Sequence, residues 1–161
     1  MKREIDIWNV LHDGDITAIE MGLDCSCTLF VNIPYLRRRI PPLGDSFVLV
    51  LSGVKQIEFR NFDGTLSTLE DELNISTPEI LRTNSESMPI CVETTTGNLL
   101  LNYESIDFRL DTGQSIVFEV IEAACRDYWD EWQAEQGDKA ISQNRNTTFD
   151  IGGKDGVVFV H

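Results

Sequence analysis

The sequence predicts an α+β protein, a mostly antiparallel β-sheet with one long C-terminal amphipathic helix. Three observations carry that expectation. Over roughly the first 110 residues, short segments place an apolar residue at every second position, as in "SIDFRLDTG". Turn chemistry such as Asp63-Gly64 separates them, the signal of tight connections between antiparallel strands. From Ser115 the apolar spacing becomes helical: Phe118, Ile121, Cys125, Tyr128 and Trp132 recur every three or four residues.

Each element follows in order. In "CSCTLFVNI", Cys25, Cys27, Leu29, Val31 and Ile33 face one way, and Ser26, Thr28 and Asn32 the other. "SFVLVLSG" is apolar on both faces, which predicts a central strand covered on both sides. "VKQIEFRNFDGTL" offers Ile57 and Phe59 to a core and Glu58 and Arg60 to water, then turns at Asp63-Gly64. "ICVETTTGNLLLNY" repeats the arrangement, with its turn near Gly97-Asn98. In "SIDFRLDTG", Ile106, Phe108 and Leu110 share a face. Ser67 and Glu70 have capping-box spacing for a helical turn in "STLEDEL", and Thr77-Pro78-Glu79 is read as opening another. Ser115 or Thr112 caps the long helix and Gly137 ends it, with its opposite side acidic. The expected organisation is one β-rich domain over 1–136 and a polar, glycine-rich extension over 137–161, ending in "GVVFVH".

Composition narrows the function classes. At 161 residues and 42% hydrophobic content, the chain is long and apolar enough to bury a core, so it is no acidic disordered tail. Aspartate and glutamate number 27 against 13 lysines and arginines, a formal charge of -14. Such a surface repels phosphate backbones and anionic lipid, which argues against nucleic acid and membrane as partners and for a basic protein. The opening "MKREIDIWNVLHDGD" lacks the apolar run of a signal peptide. Cys25, Cys27, Cys91 and Cys125 then read as reduced thiols, and the expected location is the cytoplasm.

Catalytic patterns are thin. The histidines are His12 and His161, and no nucleophile elbow or cysteine-protease signature surrounds any candidate nucleophile. His12 in "LHDGD" is a candidate base oriented by Asp13 or Asp15; the plainer reading is a histidine capping a hairpin turn. Cys25 and Cys27 lack the second close-spaced pair that a structural zinc site wants. No metal and no cofactor is therefore expected. Carboxylates such as Glu70, Asp71 and Glu72 are too abundant for any pairing to be informative.

One local exception to the charge is "NIPYLRRRIPPLG". Pro34, Pro41 and Pro42 disfavour a strand, so Arg37, Arg38 and Arg39 are expected on a loop or short helical turn anchored by Tyr35, Leu36 and Ile40, with guanidiniums splayed outward. The plain reading pairs them with the chain's own acids, especially Glu119, Glu122 and Asp130. In that case neutralising any single arginine hardly changes stability. The sharper reading is a clamp for a carboxylate or phosphate.

"WNVLHDGDITAIE", followed by an alternating strand, resembles the opening of small bacterial proteins that begin with a Leu/Phe-His-Asp motif and continue into a β-rich body. Some of these are similar to immunity proteins of polymorphic-toxin systems, which implies binding and neutralising a cognate toxin.

The function expected from the sequence is a non-catalytic cytoplasmic interaction protein, in its most specific form an immunity protein meeting a basic toxin. Glu119, Glu122, Asp127, Asp130 and Glu131 form the candidate contact surface, with Trp129 as an aromatic anchor or, more plainly, a core residue. The alternative is a ligand-binding domain or enzyme whose anionic substrate is held by Arg37–Arg39 near His12 and Asp13. A third reading is a self-assembling homo-oligomer.

Overall fold

Ten strands and four helices follow one another in the residues that the computed structural model describes, 3–146, with side chains as far as residue 141. In chain order they are α1 (Glu4–Val10), β1 (Asp15–Met21), β2 (Cys27–Asn32), α2 (Pro34–Arg37), β3 (Ser46–Ser52), β4 (Gln56–Asn61) and β5 (Leu66–Ser67). Then come α3 (Leu69–Leu73), β6 (Ile80–Thr83), β7 (Ile90–Thr94), β8 (Gly97–Asn102), β9 (Ser105–Leu110), β10 (Ser115–Ile116) and α4 (Phe118–Asn146). The fold is α+β with two antiparallel sheets, ordered β1-β2-β3-β9-β10 and β5-β4-β8-β7-β6. The end of the chain, including Val157–Val160 and His161, lies outside the described residues.

Period-two patterning produces these strands, because alternate side chains leave opposite faces of a pleat. Ile106, Phe108 and Leu110 are buried while Ser105, Asp107 and Arg109 are exposed. β3 is the middle strand of its sheet and buries Phe47, Leu49 and Leu51 completely. Its other face is not covered as the sequence suggested: Val48 and Val50 are half-buried. β4 and β5 make the expected hairpin, in which Asp63 accepts the Thr65 amide (2.8 Å). Cys25 is displaced from the alternating strand; it occupies an exposed turn at φ 57, so only Cys27 shares the buried face.

One ladder bends through both sheets. Phe47–Ser52 pair with Leu110–Ser105, and Gln56–Asn61 pair with Asn102–Gly97. Between these registers residues 53–55 face residues 103–104, one more residue on the first strand than on the second. The Glu104 amide bonds Ser52 O (2.9 Å) and the Lys55 amide bonds Asn102 O (2.8 Å), carrying the ladder round the corner. An extra residue on one strand bends it, the usual device where a strand passes from one sheet to the next. Gly53 adopts φ 64 there, a conformation that costs glycine little. A second seam joins the sheets where β1 meets the start of β6: the Ile16 amide bonds Pro78 O (2.9 Å) and the Ile80 amide bonds Gly14 O (2.8 Å). A single buried core results, drawing on both sheets. Each of its Leu, Ile, Val and Phe side chains contributes about 1.5–3 kcal/mol by leaving water.

The helices depart most from expectation. α1 was not visible in the sequence pattern; it buries Ile7 and Trp8, with Leu11 at its C-cap also buried. Trp8 Nε1 donates to Tyr103 Oη (3.1 Å), and the Tyr103 hydroxyl donates in turn to the Glu4 carboxylate. α3 forms where expected, but Thr68 is its cap, accepting the Asp71 amide (3.1 Å), rather than Ser67. Thr77-Pro78-Glu79 opens no helix; an isolated bridge joins Glu79 to Asp15 and the chain enters β6. Ser115 is no cap either, since it lies in β10 opposite Arg109. Gly137 does not end α4, which runs to Asn146. The chain divides into two compact units, the first ending at Cys125 and the second beginning at Arg126.

Candidate functional site

The tri-arginine segment is a helical turn followed by a bend, and it does not splay three cations outward. Pro34 starts α2, as suits a residue without an amide proton. Leu36 and Ile40 are buried as anchors, and Arg37 is fully buried with them. Every guanidinium nitrogen of Arg37 meets two acceptors. Nε donates to Asp111 Oδ1 (2.9 Å) and Ser46 O (3.2 Å), and Nη1 to Ile40 O (2.7 Å) and Pro42 O (2.6 Å). Nη2 donates to Asp111 Oδ1 (2.8 Å) and Thr112 Oγ1 (3.4 Å). Asp111 is engaged from the other side as well, its Oδ2 accepting the amides of Asp45 (2.9 Å) and Ser46 (3.2 Å). Burial alone would raise the Asp111 pKa; the two amides and the Arg37 guanidinium outweigh it and hold the carboxyl below its ordinary value. Arg37 has no donor left for a ligand. Arg38 is exposed and pairs with Asp45 (2.9 Å), and Arg39 is half-buried. For the first two arginines, the partners are Asp111 and Asp45 rather than the acids of α4.

His12 and Asp13 sit in the turn between α1 and β1, not in a hairpin. Asp13 takes φ 67, which a short polar side chain tolerates, and its amide bonds Ile80 O (2.9 Å). Gly14 permits the close approach that follows, since a Cβ there would lie 2.7 Å from Val31 and Ile33 side-chain carbons. His12 Nδ1 is 2.9 Å from Leu81 O, an acceptor only, so this nitrogen carries the proton. Its Nε2 is 3.2 Å from Asp13 Oδ1. Tyr35 Oη donates to His12 O (3.2 Å) and so ties α2 to this turn. The arrangement fastens the turn to β6. The guanidinium of Arg37 is committed to Asp111 and backbone carbonyls, and that of Arg38 to Asp45, so neither converges with His12 on one substrate position.

No cysteine is in a disulfide. Burial, and secondarily the charge of Glu70, push the Cys27 thiol up to about 11, which leaves it protonated and poorly nucleophilic at neutral pH. Burial likewise raises Cys91. Among the described residues no three His, Cys, Asp or Glu side chains converge as a metal site.

Clefts among the described residues of the first unit include two that are lined by neither His12 nor Arg37–Arg39. One, of about 170 Å³, lies between Ile19 and Met21 of β1, Ile57 of β4, and Thr68, Leu69 and Glu70 at the start of α3. The other, of about 400 Å³, follows the sheet edge at Asp107–Arg109 and Ser115–Val117. Sequence reasoning missed the first because three separated segments build it.

The candidate acids are exposed as expected: Glu119 and Glu122 in the first turns of α4, then Asp127, Asp130 and Glu131. The apolar stripe gives out along the helix. Phe118 and Ile121 are buried, Tyr128 and Trp129 half-buried, and Trp132 is 44% exposed. Trp129 stands edge-on to both Tyr128 (ring centroids 5.1 Å apart) and Trp132 (5.7 Å), so it is part of an aromatic cluster rather than a core residue of a sheet. Residues 130–141 are all exposed. Compared with protein-family models, curated proteins and solved structures, the chain has no match.

Proposed function

We propose that this chain is a non-catalytic interaction protein that engages a basic partner through the stretch of α4 from Asp127 to Trp132. One observation carries the reading: three aromatic rings stack edge-on along this stretch, interleaved with Asp127, Asp130 and Glu131. Aromatic residues with two χ angles lose little entropy on binding, and a carboxylate rim steers and selects a cationic surface. A basic toxin neutralised in this way is the specific partner that an immunity role requires. The free thiols suit a reducing compartment, and we place the protein in the cytoplasm on that ground. Self-assembly is disfavoured, because copies with a formal charge of -14 repel one another.

The test is affinity capture from the producing cells with three baits: the natural chain, Trp132→Ala, and Asp127→Asn combined with Asp130→Asn. A basic protein should bind the first, bind both variants at least about tenfold less, and leave as salt is raised. Equal capture by all three would remove the reading.

A further inference from the structure

The cleft between β1, β4 and α3 belongs to the first unit and plays no part in the aromatic surface of α4. Its walls are Ile19, Met21, Ile57 and Leu69, and its polar groups are Thr68 and Glu70. The volume, about 170 Å³, is below the roughly 300–1,000 Å³ of small-molecule sites, so it suits one side chain rather than a metabolite. Thr68 is occupied in capping α3. Glu70 is not occupied: among the described residues no cation pairs with it. Its charge is nonetheless felt inward, since it helps raise the pKa of Cys27, the register partner of Met21. Met21 itself is 54% exposed, an apolar lip left in water.

From this we infer that the cleft is a receptor for a lysine side chain of the basic partner, the four-carbon stem lying against Ile19, Met21, Ile57 and Leu69 and the ammonium meeting Glu70. Lysine divides its chemistry that way, burying an aliphatic stem and keeping its charged head at the boundary with water. A neutral apolar side chain would fill the walls but leave Glu70 unused; an acidic one would be repelled. The N-terminal field of a helix opposes a cation, but α3 has only five residues and carries Glu70, Asp71 and Glu72 in its first turn. The inference rests on the reading of the protein as a binder of basic partners and adds a second contact point to it.

The probe is n-butylammonium, the lysine head and stem without a backbone, titrated into the full chain with 13C-labelled methionine methyls. 1-Butanol, of similar shape and no charge, is the comparison. The Met21 methyl should shift saturably while that of Met88 stays still. Butylammonium should bind about two- to fivefold more tightly than butanol, the value of one ion pair at a cleft rim. Added salt should erase that preference in the natural chain, and Glu70→Gln should erase it at low salt. No saturable shift at Met21, equal binding of the two probes, or a preference surviving both salt and Glu70→Gln would overturn the inference. The outcomes separate from those of the α4 reading. Partner capture that still depends on Trp132, with no cation preference at Met21, removes the lysine receptor alone; the reverse removes the α4 surface alone.

Discussion

At the scale of single residues, Arg37 and Arg38 are neighbours in sequence with opposite energetics. Arg37 is enclosed although Asp111 keeps 30% of its side chain exposed, and removing the guanidinium strands the Ile40, Pro42 and Ser46 carbonyls, so Arg37→Gln should cost about 3 kcal/mol. Arg38 pairs with Asp45 in water, and Arg38→Gln should change stability by about 0–1 kcal/mol. Urea denaturation of both variants measures the contrast, and similar midpoints would contradict it. Acid sensitivity follows from the other half of the pair. Asp111 has a folded pKa below its unfolded value, so its stabilisation is complete above that unfolded value, near 4, and fades as pH falls through the folded one. Asp111→Asn should therefore be less stable at pH 7 and lose less further stability between about pH 4 and pH 2. Tyr103→Phe removes both the acceptor of Trp8 and the donor to Glu4, at about 1–3 kcal/mol. The sequence suggested that the arginines pair with the chain's own acids, but neither the acids chosen nor the burial of Arg37 was legible in it. "RRR" states three charges, but Asp111 lies 74 residues from Arg37, and only the fold decides which arginine is enclosed.

At the scale of elements, strands were the most legible feature, because alternation at Ile106, Phe108 and Leu110 records directly which face meets the core. Helix ends were least legible. Ser67 and Thr68 are equally good caps by residue type, and the hydrogen bond to the Asp71 amide alone picks Thr68. Thr68→Ala should cost about 1 kcal/mol in thermal unfolding, and Ser67→Ala much less. α1 has only seven residues, too short for helical spacing to stand out, and it is held by Trp8 and Ile7 against the sheets rather than by propensity. α4 was recognisable from its spacing, yet spacing overstated how far burial follows it: the exposed stretch after Trp129 lacks the core contacts that most helices depend on. Hydrogen exchange should show amides of 130–141 opening far faster than those of β3, and uniform protection would refute that ranking.

At the scale of the whole molecule, charge governs behaviour in solution. A chain at -14 should be monomeric by light scattering and should gain stability as salt rises from low ionic strength, because mobile ions screen its self-repulsion. Loss of stability with added salt would mean that attractive pairs such as Arg38–Asp45 outweigh that repulsion. The bent ladder has a different consequence, for the chain while it is being made. β3 needs β9 on its open edge, and β4 needs β8, so neither partner exists until the last third of the body has left the ribosome. Until then the nascent chain displays Phe47, Leu49 and Leu51 on a strand with one bare edge, the kind of surface that recruits chaperones or pairs with another unfinished copy. Synthesis of this protein should accordingly be most vulnerable to a pause while the segment from Asn61 to Gly97 is emerging from the ribosome, with its most apolar strand already outside and that strand's partner still to come.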